Sequence, residues 1–117
     1  MMTENPALTK SFEFSLKMVS LCRKLIYEDK EFVLGKQLLR CSTSIGANLE
    51  EAIGGFSRND FKYKISIAYK EARETHYWIR LLMRSQIIEE GDGNAASKDL
   101  EELLKILTAT LKTLNKV

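Results

Sequence analysis

The chain has 117 residues, 44% hydrophobic and 29% charged, with 18 Lys and Arg against 16 Asp and Glu. That length fits one compact domain, residues 1–117, and leaves no room for a second, while the composition argues against a disordered chain. No apolar run approaches the ~20 residues of a membrane span, and Met1–Lys10 holds no apolar segment of signal-peptide type, so a cytoplasmic protein without membrane contact is expected.

The first helix is predicted over residues 6–28. Asn5 followed by Pro6 fits an N-cap and first helical residue. Leu8, Phe12, Leu16, Val19, Cys22 and Ile26 cover one face, and Phe14, Met18, Leu21 and Leu25 cover the adjoining one. Together they exceed the stripe of ~100° that a surface helix needs. Either this helix sits deep between two neighbours, or its second stripe is a subunit interface.

The charged run Glu28–Glu31 breaks the apolar period, and a second helix is predicted over residues 33–53. Its core stripe is Leu34, Leu38, Cys41, Ile45, Leu49 and Ala52. Gly54-Gly55 ends it. Ser57-Arg58-Asn59-Asp60 has the capping-box form, with Asp in place of Glu or Gln, and opens a third helix over residues 58–89. Its core stripe is Phe61, Ile65, Ala68, Ala72, Ile79 and Met83. Gly91-Asp92-Gly93-Asn94 reads as the next break, and Asn94 or Ser97 as the start of a fourth helix over residues 95–115. Leu100, Leu103, Leu104, Leu107, Leu111 and Leu114 make one stripe there, opposite Glu101, Lys105, Lys112 and Lys116. No segment alternates like a strand. Short connections favour antiparallel neighbours, so the expected fold is all-α, an antiparallel up-down-up-down four-helix bundle.

Beside the helix 2 core stripe runs a polar line, Gln37, Arg40, Ser44, Asn48 and Glu51. Helix 3 carries Lys64, Glu71 and Trp78, seven apart, with Glu74 and Thr75 close by. Facing each other, these lines form a seam. Arg40, Asn48, Glu51, Lys64 and Glu71 are read as a structural network that fixes register and oligomer geometry. The alternative is an active site with general acid/base carboxylates. Acid catalysis needs a cleft and a carboxylate held protonated, which neighbouring cations oppose.

Other chemistry has little to stand on. Di-iron bundles use paired Glu-x-x-His, but the residue three before the sole histidine, His76, is Arg73. No metal or cofactor is expected. Cys22 and Cys41 fall on apolar faces and are expected to be reduced. Gly54-Gly55 lacks the Lys-Ser/Thr of a phosphate loop.

Charge is unevenly placed. Residues 58–84 hold seven basic and three acidic side chains, a net +4, while residues 89–102 hold one basic and six acidic, a net −5. On helix 3, Lys62, Lys70, Arg73, Arg80 and Arg84 project with Tyr77 into less than a quarter turn, and Tyr63 and Tyr69 lie near its edges. Cations can neutralise phosphates and tyrosine rings can stack on unpaired bases. The alternative is a solvated face helped by pairs such as Lys70–Glu74.

The run Arg40-Cys-Ser-Thr-Ser-Ile-Gly-Ala-Asn48 resembles the bacterial four-helix-bundle family first found as open reading frames in 23S rRNA intervening sequences, to which the accessory variability proteins of diversity-generating retroelements are similar. The likeness continues through Glu51-Ala52, Ser57, Asp60-Phe61, Lys64, Ile67-Ala68, Lys70-Glu71-Ala72, Glu74-Thr75 and Tyr77-Trp78. Where many members read Asn-Ile-Ala-Glu-Gly, this chain has Asn48-Leu49-Glu50-Glu51-Ala52. The resemblance implies an antiparallel four-helix bundle assembling as a ring, typically a homopentamer, with no known catalytic residues. For the retroelement relatives it implies a basic surface that contacts nucleic acid and a reverse transcriptase.

The expected function is therefore that of a non-enzymatic oligomeric protein. It would bind RNA or DNA through Lys62, Lys70, Arg73, Tyr77, Arg80 and Arg84. The alternative is an assembly or scaffold module that binds protein only.

Overall fold

Asn5 supplies the side-chain oxygen that accepts from the Ala7 backbone N–H at 2.9 Å, and Pro6 takes the first helical position. From this cap α1 runs over Pro6–Arg23 and continues without a break into a π-helical turn, Lys24–Glu28. α2 spans Phe32–Ile53, α3 Arg58–Arg84 and α4 Glu90–Leu114. The structure is a computed structural model that describes residues 5–116. Met1–Glu4, the start of the segment read for a leader, lie outside the described residues, as does Val117.

Each helix packs on the next, and α1 closes against α4, so the four form a square. Cross-helix bonds fix the directions. Lys10 pairs with Glu102 and Lys17 with Asp99, so α4 descends where α1 rises. Arg40 pairs with Glu71 and Glu51 with Lys64, which makes α2 and α3 antiparallel. Arg58 Nη2 donates to the Leu114 carbonyl at 2.9 Å, tying the start of α3 to the end of α4. The arrangement is the expected up-down-up-down bundle, 46 Å long.

The core follows the predicted stripes closely. Leu38, Cys41, Ile45, Leu49 and Ala52 of α2 are buried, as are Ile65, Ala68, Ala72 and Ile79 of α3 and Leu100, Leu103 and Leu107 of α4. Leu34, Phe61, Leu104, Leu111 and Leu114 pack at its margin, whereas Met83, expected in the core stripe of α3, is half-buried outside that cluster. Thr75 and Leu82 are also buried, Thr75 returning its hydroxyl proton to the Glu71 carbonyl. Ser57 Oγ accepts from the Asp60 N–H at 3.1 Å, the expected cap of α3.

Two boundaries differ from expectation. α3 ends at Arg84 rather than residue 89, and α4 begins at Glu90 rather than residue 95. The chain turns at Ser85–Glu89, where Gln86 adopts φ 64° and Ile88 drops into the core. Gly91–Asn94 is the first turn of α4, with Glu90 and Asp92 suited to the helix N-terminus. Neither Asn94 nor Ser97 is the cap; that place belongs to Glu89. Gly93 is there for space, since a Cβ would stand 2.5 Å from Met83 Sδ across the α3–α4 contact.

The first helix also divides differently. Phe14, Met18, Cys22, Leu25 and Ile26 are buried, but Phe12, Leu16 and Val19 are 62%, 58% and 37% exposed. α1 therefore does not lie deep between two neighbours; one apolar row, Phe12, Leu16 and Val19, faces outward.

Candidate functional site

α3 carries two polar rows of opposite use. The row toward α2 is consumed by the bundle. Arg40 Nη1 donates to Glu71 Oε1 at 3.3 Å and Nη2 pairs with Glu74 Oε2, while Gln37 Oε1 accepts from Arg40 Nε and Nη2. The same Glu74 Oε2 accepts from Trp78 Nε1 at 3.0 Å. Burial works against the Arg40 charge, but the Glu74 and Glu71 carboxylates outweigh it and raise its pKa. About two turns earlier on α3, Lys64 donates to Glu51, and this hydrogen bond raises the Lys64 pKa.

Four of the five predicted seam residues thus fall into two clusters, not one line. Arg40 and Glu71 meet, and Glu51 and Lys64 meet. Asn48 joins neither: its Nδ2 donates to the Ser44 carbonyl of its own helix at 2.8 Å. Glu74 and Trp78, flanking residues in the sequence, are the central members. Among the described residues no buried side-chain N or O lacks a partner. The principal groove lies elsewhere, about 840 Å³ between α1 and α4, lined by Leu16, Val19, Tyr27, Asp92, Ala95 and Asp99 among others. None of the seam carboxylates lines it.

The outer row of α3 is the reverse case. It lies opposite the core row Ala68, Thr75, Ile79 and Leu82. Lys70, Arg73, Tyr77, Arg80 and Arg84 are exposed along about 21 Å of helix. Lys62, included in the stripe, is half-buried, and Tyr69 turns inward to pack on the core, whereas Tyr63 is exposed. Among the described residues, no ion pair engages Lys62, Lys70, Arg73, Arg80 or Arg84. The expected Lys70–Glu74 pair is absent because Glu74 turns to Arg40. By contrast the acidic surface of α4 is partly spent, Asp99 on Lys17 and Glu102 on Lys10. The Asp99 hydrogen bond raises the Lys17 pKa.

Tyr77 has a second feature. Its ring meets Trp78 edge-on, with centroids 5.3 Å apart and planes at 72°.

Cys22 and Cys41 are free and buried, and burial pushes their thiols up to about 12 and about 11. No group of three or more His, Cys, Asp or Glu side chains that could hold a metal stands among the described residues. Nor is any described helix long and apolar enough to cross a membrane.

The profile of the 23S rRNA-intervening sequence proteins matches residues 3–109. The chain belongs to that family. Its fold agrees with a crystal structure from Bacteroides thetaiotaomicron, described as a protein with unknown function from the S23 ribosomal protein family. The two share 44% identity over 91% of this chain and 98% of that one, with a TM-score of 0.88. No protein of curated function is significantly similar to the chain.

Proposed function

We propose that the protein is a non-enzymatic, oligomeric helical adaptor of the cytosol that binds RNA or DNA through the outer face of α3. The observation that carries this reading is the outer row itself: four exposed cations, Lys70, Arg73, Arg80 and Arg84, on one face without carboxylate partners among the described residues. Such a row suits a phosphate backbone. Lys62 and Tyr77 belong to the same face. Self-assembly, with a homopentameric ring as the expected form, is supported by the outward row Phe12, Leu16 and Val19. The free buried thiols suit a reducing compartment.

A ring would repeat the α3 row around one surface, raising the local positive potential. Polymerases that copy nucleic acid, a reverse transcriptase among them, are the protein partners this reading favours. Fluorescence anisotropy with labelled single-stranded RNA and duplex DNA tests it. Binding should weaken with salt, with a log–log slope of about −0.7 per neutralised phosphate on single strands. Absence of binding at low salt overturns it.

The second reading, a protein-only scaffold, draws on the apolar row of α1 alone. It predicts assembly without any nucleic-acid affinity.

A further inference from the structure

The outer face of α3 holds more than charge. Read along the helix, its exposed members include Tyr63, Lys70, Arg73, Tyr77, Arg80 and Arg84, two rings set among four cations. Tyr63 and Tyr77 are 65% and 50% exposed and stand about 21 Å apart along the axis, nearly in line. Tyr77 is also braced. Trp78 meets its ring edge-on, Glu74 holds the Trp78 indole N–H, and Arg40 of α2 holds Glu74. A tyrosine that only faced water would gain nothing from being fixed through three side chains and two helices. A ring that must receive a flat partner gains by it, because less freedom is lost on binding.

We infer that this face takes an unpaired nucleic-acid strand, whose bases stack on Tyr63 and Tyr77 while Lys70, Arg73, Arg80 and Arg84 hold its phosphates. This rests on the nucleic-acid reading above and narrows it to single strands. A duplex keeps its bases stacked inside and offers the face only phosphates. An unpaired strand offers phosphates and free base faces together, and aromatic side chains among cations are the chemistry that uses both. Neither contact needs a 2′-hydroxyl, so RNA and DNA strands bind alike.

The test uses the full chain and three labelled probes of about 15 units: oligouridylate, oligodeoxythymidylate and a blunt duplex. Wild type binds both single strands more tightly than the duplex at the same salt. Tyr63→Ala and Tyr77→Ala each weaken single-strand binding by at least about fivefold and leave duplex binding unchanged. Tyr63→Phe and Tyr77→Phe bind as wild type, since stacking does not use the hydroxyl. Because Tyr77 touches Trp78, the Tyr63 variants keep the test sound if Tyr77→Ala disturbs the fold. Should the alanine variants bind single strands as wild type does, or should wild type favour the duplex, the stacking inference fails and a phosphate-only face remains. Should wild type bind none of the probes, both readings fail and the row is only a solvated face.

Discussion

Glu74 turns its carboxylate across the α2–α3 contact to Arg40 and leaves Lys70, one turn earlier on its own helix, without an ion-pair partner among the described residues. That choice separates the charges of α3. Carboxylates go inward to α2, where they brace Trp78, and cations stay outward along one edge. A local Lys70–Glu74 pair would have muted the outer row. Its absence links the packing of the bundle to the electrostatics of its surface.

The Arg40 cluster is expected to serve stability. Arg40→Met removes both ion pairs of a half-exposed guanidinium and should cost about 1 kcal/mol, a fall of roughly 4 °C in Tm. Glu71→Gln should lower stability less, since Glu74 still holds Arg40. Thermal melts followed by circular dichroism measure both. A catalytic seam would instead show turnover lost in Glu71→Gln with the melt unchanged.

Ile45 has no exposed surface and lies mid-way along α2. Ile45→Asp would bury an unpaired carboxylate at several kcal/mol, against a total stability of about 5–15 kcal/mol for a domain. The variant should not fold. A cooperative melt near that of wild type would contradict the core assignment.

Most of this core could be read from the leucine and isoleucine spacing, because a helical period states directly which side chains share a face. Asn5 and Ser57 were equally legible, since a cap is a local bond. The α3–α4 turn was not. Glycine signals either a turn or a close approach, and at Gly93 it is Met83 on the facing helix that decides. The destination of Glu74 was hidden for a related reason: Lys70 and Arg40 are both suitable partners, and only the register between α2 and α3 chooses. Lys62 and Asn48 show the same limit. Projection placed each in a row, but neighbouring helices set how far Lys62 is covered and what Asn48 can reach.

The outward row of α1 should drive assembly. Wild type at micromolar concentration should sediment as an oligomer, with five protomers expected. Phe12→Glu with Leu16→Glu should give a monomer with an unchanged helical spectrum, because both side chains face outward in the single chain. A stable wild-type monomer at equilibrium would contradict this.

The thiols set an alkaline limit. Their ordinary value is 9.0, and in the fold they stand near 12 for Cys22 and 11 for Cys41. Below pH 9 both states keep the thiols protonated, so they add no pH dependence. Above it the unfolded chain loses those protons and the native protein does not, so stability falls as pH rises toward about 11–12. The ion pairs that raise Lys17, Lys24 and Lys64 act in the same direction, but from 10.5 upward. Urea unfolding should therefore weaken between pH 9 and 10.5, and Cys22→Ala with Cys41→Ala should flatten that slope. An equal slope in the double variant would contradict it.

The central claim is that the unpaired cations of α3 bind nucleic acid, and charge reversal tests it most directly. Arg73, Arg80 and Arg84 are exposed and make no ion pair among the described residues, so Arg73→Glu, Arg80→Glu and Arg84→Glu together should leave the fold and the assembly intact. The measurement is anisotropy of labelled single-stranded RNA against wild type and the triple variant, at low and moderate salt. Wild type should bind at low salt and weaken steeply as salt rises, and the triple variant should not bind. Equal binding by the two proteins would contradict the account.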